Sequence, residues 1–210
     1  MVSSLLTARV SWMQRSEIRG MQRNESGNST ARQTLPDSAR DGVGGISIPS
    51  RAGPIQATLA GEYEAVHQLP IWRDRANFVF AAHLGTKDGK NEWEQLWGQK
   101  TAPQRFILCC IPFFAQGIAL GDEVETNADF VLQRVVQHSG QITFRVWFGE
   151  QDSATRQESA REIEAMKPLM EWSSENLLAL SVPEAEAQRL ADYLYSREQQ
   201  GLLQYETGRG

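Results

Sequence analysis

At 210 residues with a formal net charge of −5, the chain is long enough for one domain plus an extension. Charge is unevenly placed: residues 1–70 hold 7 Lys/Arg against 6 Asp/Glu, and residues 71–210 hold 14 against 20. An acidic folded part repels phosphate backbones over most of its surface, so nucleic acid is not expected as a partner.

No apolar run approaches the ~18 residues that a membrane span requires, and Arg9 interrupts the thinly apolar start Met1–Met13. No signal-peptide core is present. The expectation is a cytoplasmic protein without membrane contact, in which the sequon Asn28-Ser-Thr30 is accidental. Cys109 and Cys110 are adjacent in an apolar run. Neighbours on a strand point to opposite faces, so they are badly placed for a disulfide. No Cys/His spacing suits zinc. Two buried reduced thiols are expected, with neither metal nor cofactor.

Residues 1–70 are expected to be a disordered extension. From residue 14 to about 68 the chain is rich in Ser, Arg, Gly, Gln, Asn and Pro and too poor in apolar surface to offset its ordering entropy. An overextended gene start, with translation beginning at Met21 or later, is the other reading. Residues 71–210 are expected to form a single α+β domain with order beginning near Ile71-Trp72.

Asn77–Leu84 puts Phe78, Phe80, Ala82 and Leu84 on one strand face. The Asp88-Gly89 pair predicts a turn. Trp93 and Trp97 fit one face of either a strand or a helix. Arg105–Ile111 is apolar on both faces, as a doubly covered central strand is, and Pro112 ends regular pairing there. Another strand starts at Glu123. Phe130–Gln137 and Gln141–Phe148 read as a hairpin, connected by His138-Ser-Gly140.

The period then changes. Ala160, Ile163 and Met166 lie at helical spacing, and Pro168 ends or kinks that helix. Leu177–Val182 reads as a buried strand. Ser181-Val-Pro-Glu184 has capping-box spacing for a second helix, whose stripe is Ala187, Leu190, Ala191 and Leu194. Gly201 ends it, and Leu202–Glu206 is a closing strand. The predicted architecture is a mostly antiparallel sheet, or small barrel-like strands, followed by a split β-α-β-α-β unit.

Four stretches carry a resemblance: Glu94-Gln-Leu-Trp97; Ile111-Pro-Phe-Phe114 with Gly117 and Gly121-Asp-Glu-Val124; His138-Ser-Gly-Gln-Ile-Thr-Phe-Arg-Val146; and Leu180-Ser-Val-Pro183 with Gly201-Leu-Leu-Gln-Tyr-Glu206. Together they resemble the uncharacterised bacterial domain-of-unknown-function family 4265, over about residues 75–207. That resemblance implies a fold unit and a bacterial source, and no assigned reaction or ligand.

The common nucleotide-binding, zinc-protease, serine-hydrolase and dithiol motifs are absent. Gly85-Thr-Lys-Asp-Gly-Lys90 has the wrong glycine spacing for phosphate. His138-Ser139 suggests base activation of a nucleophile, yet Ser139 equally suits a turn in which it bonds local backbone. Arg145 shares a strand face with Thr143 and Trp147. It can anchor an anion bidentately or pair with Asp122 or Glu125. Asp122 suits a turn cap, and His83 a hydrogen-bonded sheet position. Phe113-Phe114 can line a groove or be buried.

The favoured expectation is a non-catalytic binding or interaction module for a peptide, protein or small anionic ligand. Its surface would be Phe113, Phe114, Asp122, His138, Ser139, Thr143 and Arg145, at a mouth formed by the Pro112–Asp122 loop and the His138–Arg145 hairpin. The alternative is a small enzyme using His138 as general acid/base and Arg145 as anion anchor.

Overall fold

Alternating apolar side chains build the first long strand pair. The computed structural model describes residues 55–56 and 62–208. Two short strands, β1 (Ile55–Gln56) and β2 (Glu62–Ala65), precede β3 (Phe78–Lys87), which turns through Asp88-Gly89 into β4 (Lys90–Ala102). Both turn residues have positive φ, 51° and 78°, the two-residue geometry whose twist matches that of paired strands. After β5 (Arg105–Leu108), β6 (Glu123–Thr126) and β7 (Leu132–Gln137), the sheet order is β1-β3-β4-β5-β6-β7, with β2 parallel to β4.

This sheet curls until the start of β7 meets β3 again. Ala81 and Val131 form a parallel bridge, and Ala81 N donates to Phe130 O at 3.1 Å. Inside lie Phe78, Phe80, Leu96, Phe106, Leu108 and Val124. The ring of Phe106 sits 5.0 Å from both Phe78 and Phe80. Gly98 makes room for them: a Cβ there would stand 2.7 Å from the Phe80 ring and 3.1 Å from Phe106 Cβ.

The second sheet comprises β8 (Gln141–Trp147), β9 (Leu169–Trp172), β10 (Leu177–Pro183) and β11 (Gln204–Thr207). Helices α1 (Ser153–Ala165) and α2 (Glu184–Gln199) fall between them in the chain. The order is β11-β8-β10-β9 with every neighbour antiparallel, the arrangement of a β-α-β-β-α-β unit. Ile142, Phe144, Val146, Leu178, Leu180 and Val182 pack beneath the helices with Ile163, Leu190 and Leu194. The alternate residues Trp147, Leu177 and Ala179 look the other way, toward Ile111, Phe113, Phe114 and Leu120. Both faces of this sheet are therefore covered. The molecule is α+β, with mostly antiparallel strands and two helices.

Four expectations need correction. The 130–137/141–148 hairpin does not form: β7 pairs with β6, β8 pairs with β10 and β11, and His138-Ser-Gly140 crosses between the sheets. Burial decides this, because β8 is apolar-covered on both faces whereas β7 is half open. The closing unit also has an additional strand, β9, too short to show a period after Pro168. Ser181 does not cap α2; it lies within β10 and donates to Gln141 Oε1, and α2 opens with Glu184 N on Gly140 O. Lastly, order begins before Ile71, since β2 and the buried His67 precede it. Of that expected extension, residues 1–54 and 57–61 lie outside the described residues.

Candidate functional site

Strand β5 ends at Leu108, short of the expected end at Ile111, and residues 111–116 run between the two sheets. A buried backbone without a ladder needs other partners, and charged side chains supply them. Ile111 N donates to Glu171 Oε1 at 2.9 Å. Phe113 N donates to Glu94 Oε1 at 2.6 Å, and Phe114 N and Ala115 N donate to Glu94 Oε2 at 3.0 and 2.6 Å. On the carbonyl side, Arg145 Nε donates to Pro112 O at 3.1 Å and Nη2 donates to Ala115 O. The loop thus turns its N–H groups toward carboxylates and its carbonyls toward a guanidinium. Arg145 Nη1 completes its own set with Glu206 Oε1 at 3.0 Å and Gln116 Oε1 at 3.2 Å.

His67 joins the two glutamates. Its Nδ1 is 2.7 Å from Glu171 Oε2 and its Nε2 is 3.2 Å from Glu94 Oε1. The ring stacks on Phe113 with centroids 4.1 Å apart. Ionised carboxylates only accept, so an imidazole bonded to both must carry two protons. Burial works against that charge. The Cys110 thiol and the two carboxylates outweigh it and hold His67 well above its ordinary range. Because burial also pushes the Cys110 thiol up and keeps it neutral, the field that retains the proton is that of the carboxylates. Burial likewise opposes the charge of Glu94, but His67 and the N–H groups of Ala115 and Phe113 bring its carboxyl below the usual value. His67, Glu94, Glu171, Arg145 and Glu206 are all at most 5% exposed.

The structure does bring the Pro112 bend against Arg145, but as a packed contact rather than a mouth. Phe113 and Phe114 are buried at 1% and 6% exposure and line no groove. Thr143 is buried beneath Gly208. Arg145 spends its donors on the loop, Gln116 and Glu206, and pairs with neither Asp122 nor Glu125. These four positions therefore leave the predicted ligand surface, and Arg145 is not an exposed anion anchor.

Asp122, Ser139 and His138 do assemble. Asp122 Oδ1 accepts from Ser139 N at 2.7 Å, and Oδ2 accepts from Ala119 N at 3.0 Å and faces His138 Nδ1 at 3.3 Å. Ser139 Oγ donates to Leu120 O at 2.7 Å and accepts from Gln141 N, so it serves the turn and not His138. The His138 side chain is 60% exposed.

Gly121, at φ 83°, sits so close that a Cβ would be 3.1 Å from both Ser139 Cβ and the Trp72 ring. On Trp72 rests the Arg75 guanidinium, 4.1 Å from the ring centroid, and Arg73 lies 5.1 Å from the Trp97 centroid. Trp72 thus links the Arg75 guanidinium to the Gly121–Ser139 crossover that carries the exposed imidazole. His83 is exposed, with its ring 4.8 Å from that of Trp93.

Sequence reasoning missed His67 and Glu171, and took Glu94 only as part of a motif. A carboxylate between Trp93 and Trp97 in a buried strand was the available signal; His67 offered none. Among the described residues no group of three or more His, Cys, Asp or Glu is placed to hold a metal ion, and no helix is long and apolar enough to cross a membrane.

A family model described as "Domain of unknown function (DUF4265)" matches residues 94–205, more than half of the chain. That range starts at Glu94 and takes in Arg145 and Glu171, and it leaves His67 and Glu206 outside. Among solved structures, the chain is similar to a hypothetical protein from Neisseria gonorrhoeae, with 19% identity and a TM-score of 0.52. The likeness covers 69% of this chain and 97% of the other, and at that identity it speaks for the fold alone. No curated protein matches.

Proposed function

The chain belongs to the DUF4265 family, whose description assigns no function, and from its own geometry we propose that it is a non-catalytic binding module for a small anionic ligand or an anionic peptide side chain. The docking face is Trp72, Arg73, Arg75 and His138. One observation carries the reading: the Arg75 guanidinium carbon lies over Trp72, 4.1 Å from the ring centroid, and that ring abuts the Gly121–Ser139 crossover next to the exposed His138. A guanidinium stacked on an indole keeps its N–H edge free for a carboxylate or phosphate. Asp122 takes Nδ1 of His138, which turns Nε2 outward. The other polar groups near the centre, Glu94, Glu171 and Arg145, are committed to holding backbone.

Calorimetric titration with inorganic phosphate, citrate and a phosphoserine peptide tests this. At least one probe binds saturably, and Arg75→Ala and His138→Ala each weaken it roughly tenfold without lowering the melting temperature. No binding by any probe, or equal affinity in both variants, refutes the reading. A second reading, His138 as general acid/base, has the Asp122 contact in its favour. Turnover of a phosphoester probe that vanishes in His138→Gln would put it in place of the first.

A further inference from the structure

Three of the four large apolar side chains exposed among the described residues belong to one strand or to the segment tied to it. They are Val66 at 41%, Leu69 at 81% and Trp172 at 45%. The strand is β9, which among the described residues pairs only with β10 and so ends the second sheet.

The 65–71 segment is tied to β9 from the inner face, through His67 to Glu171 Oε2 and Ile71 N to Glu171 Oε1. Val66 and Leu69, on either side of His67, remain exposed. Trp172 belongs to the opposite face, where its ring lies 5.7 Å from that of Phe148. The edge of β9 that faces away from β10 therefore has Trp172 on one face and, on the other, the segment that carries Val66 and Leu69. Protective charge is missing from the strand itself: the one ionisable residue of Leu169–Trp172 is Glu171, which is turned inward and 5% exposed. Open strand edges are normally blunted by outward charges, because such an edge is a template for another strand.

We propose that the β9 edge docks an extended segment of a partner protein, a basic peptide with apolar residues at alternate positions. Charge selects the basic character, since apart from the buried Glu171 residues 150–176 hold 6 Asp/Glu against 3 Lys/Arg. Area selects a single strand over a second copy of this chain. Even at the top of the aromatic range, about 250 Å² each, three side chains fall short of the ~800 Å² that each partner gives to a standard stable interface. A strand needs less, because ladder hydrogen bonds supply affinity and flanking side chains supply specificity. This surface is separate from the Trp72–His138 face and does not depend on it.

The test uses the full chain and a capped hexapeptide of alternating lysine and valine, with an alternating glutamate–valine peptide as control. Tryptophan fluorescence and hydrogen exchange read the outcome. The lysine peptide binds with Kd below about 1 mM and protects amides in 169–172, and the glutamate peptide binds at least tenfold more weakly. Leu69→Lys, at a position too exposed to disturb folding, and Trp172→Lys each weaken the lysine peptide about tenfold. No binding, equal binding of the two peptides, or unchanged affinity in Leu69→Lys overturns the proposal. So does protection confined to residues 72–75 and 138–139, or sedimentation showing that this edge is occupied by a second copy.

Discussion

Replacing Glu94 by Gln preserves the shape of the side chain and removes its charge, so the cost isolates what the carboxylate does. The two oxygens of Glu94 are fully shared out: Oε1 faces Phe113 N and His67 Nε2, and Oε2 faces Phe114 N and Ala115 N. An amide has one oxygen. Whichever way the substituted side chain is turned, its NH₂ meets two N–H donors and leaves both unsatisfied. Bonds to a charged acceptor contribute about 1.5–3 kcal/mol each, and breaking a buried pair from one side costs about 3–5 kcal/mol. The expected loss for Glu94→Gln is therefore about 3–5 kcal/mol, a large share of the roughly 5–15 kcal/mol typical of a whole domain. Urea unfolding followed by tryptophan fluorescence measures it, with an unchanged slope confirming that the denatured state is the same.

The pH profile supplies an independent check. His67 is raised in the folded state, so its contribution is complete below the ordinary value of 6.5 and is lost as pH rises through the folded value. Glu94 is lowered, so its contribution is complete above 4.5 and is lost as pH falls through its folded value. The triad accordingly stabilises most between those two values, and Glu94→Gln removes its acid limb. A loss under about 1 kcal/mol, or an acid limb identical to that of the natural chain, would refute the reasoning.

Two further outcomes follow from the same geometry. Arg145→Met leaves Glu206 buried without its cation and strips Pro112 O and Ala115 O of their donors; it should cost about 3–5 kcal/mol of stability while the folded fraction binds anions as before, and a loss of affinity with unchanged stability would restore Arg145 as a ligand anchor. Burial, and then the neighbouring Cys110, push the Cys109 thiol up to about 11, and Cys110 is raised as well. At pH 8 roughly one Cys109 thiol in a thousand is then ionised. Native protein should resist alkylation that both cysteines accept in denaturant, and rapid native labelling of either one would contradict their placement.

What was legible in the sequence was whatever a local period encodes. Phe78, Phe80 and Ala82 alternate because they share the strand face that enters the first core, and Asp88-Gly89 turns because both residues tolerate positive φ. The stripe Ala187–Leu194 and the stop at Gly201 follow the helix rules in the same way. Partnership was not legible. β7 and β8 each show a strand period, and a three-residue connection between them resembles a hairpin from within; only the covered outer face of β8 demands a second sheet. At the site, the turn bonds of Asp122 to Ala119 N and of Ser139 to Gln141 N were readable because they are local. The bonds of His67 to Glu94 and Glu171 span 27 and 104 positions, and no periodicity reports them.

That distance also explains why the proline–phenylalanine bend draws attention in the sequence yet contributes no ligand groove. Pro112 lies beyond the end of β5 in a place where water does not reach, and Phe113 and Phe114 are the apolar filling of that place. The backbone they belong to must then be satisfied by side chains, and neutral ones would leave donors or acceptors unmet. Glu94 from β4, Glu171 from β9 and Arg145 from β8 each supply charge from a different strand, and His67 and Glu206 balance them to a residual of one negative charge. Five backbone N–H groups, those of Ile71, Ile111, Phe113, Phe114 and Ala115, point at the two carboxylates that hold His67. They stabilise the negative charges, so replacement of the ionic groups by apolar side chains, which is often tolerated in buried pairs, would here strand all five donors. The polar centre is therefore the scaffold of the loop, and recognition is left to surfaces where cations and strand edges still face water.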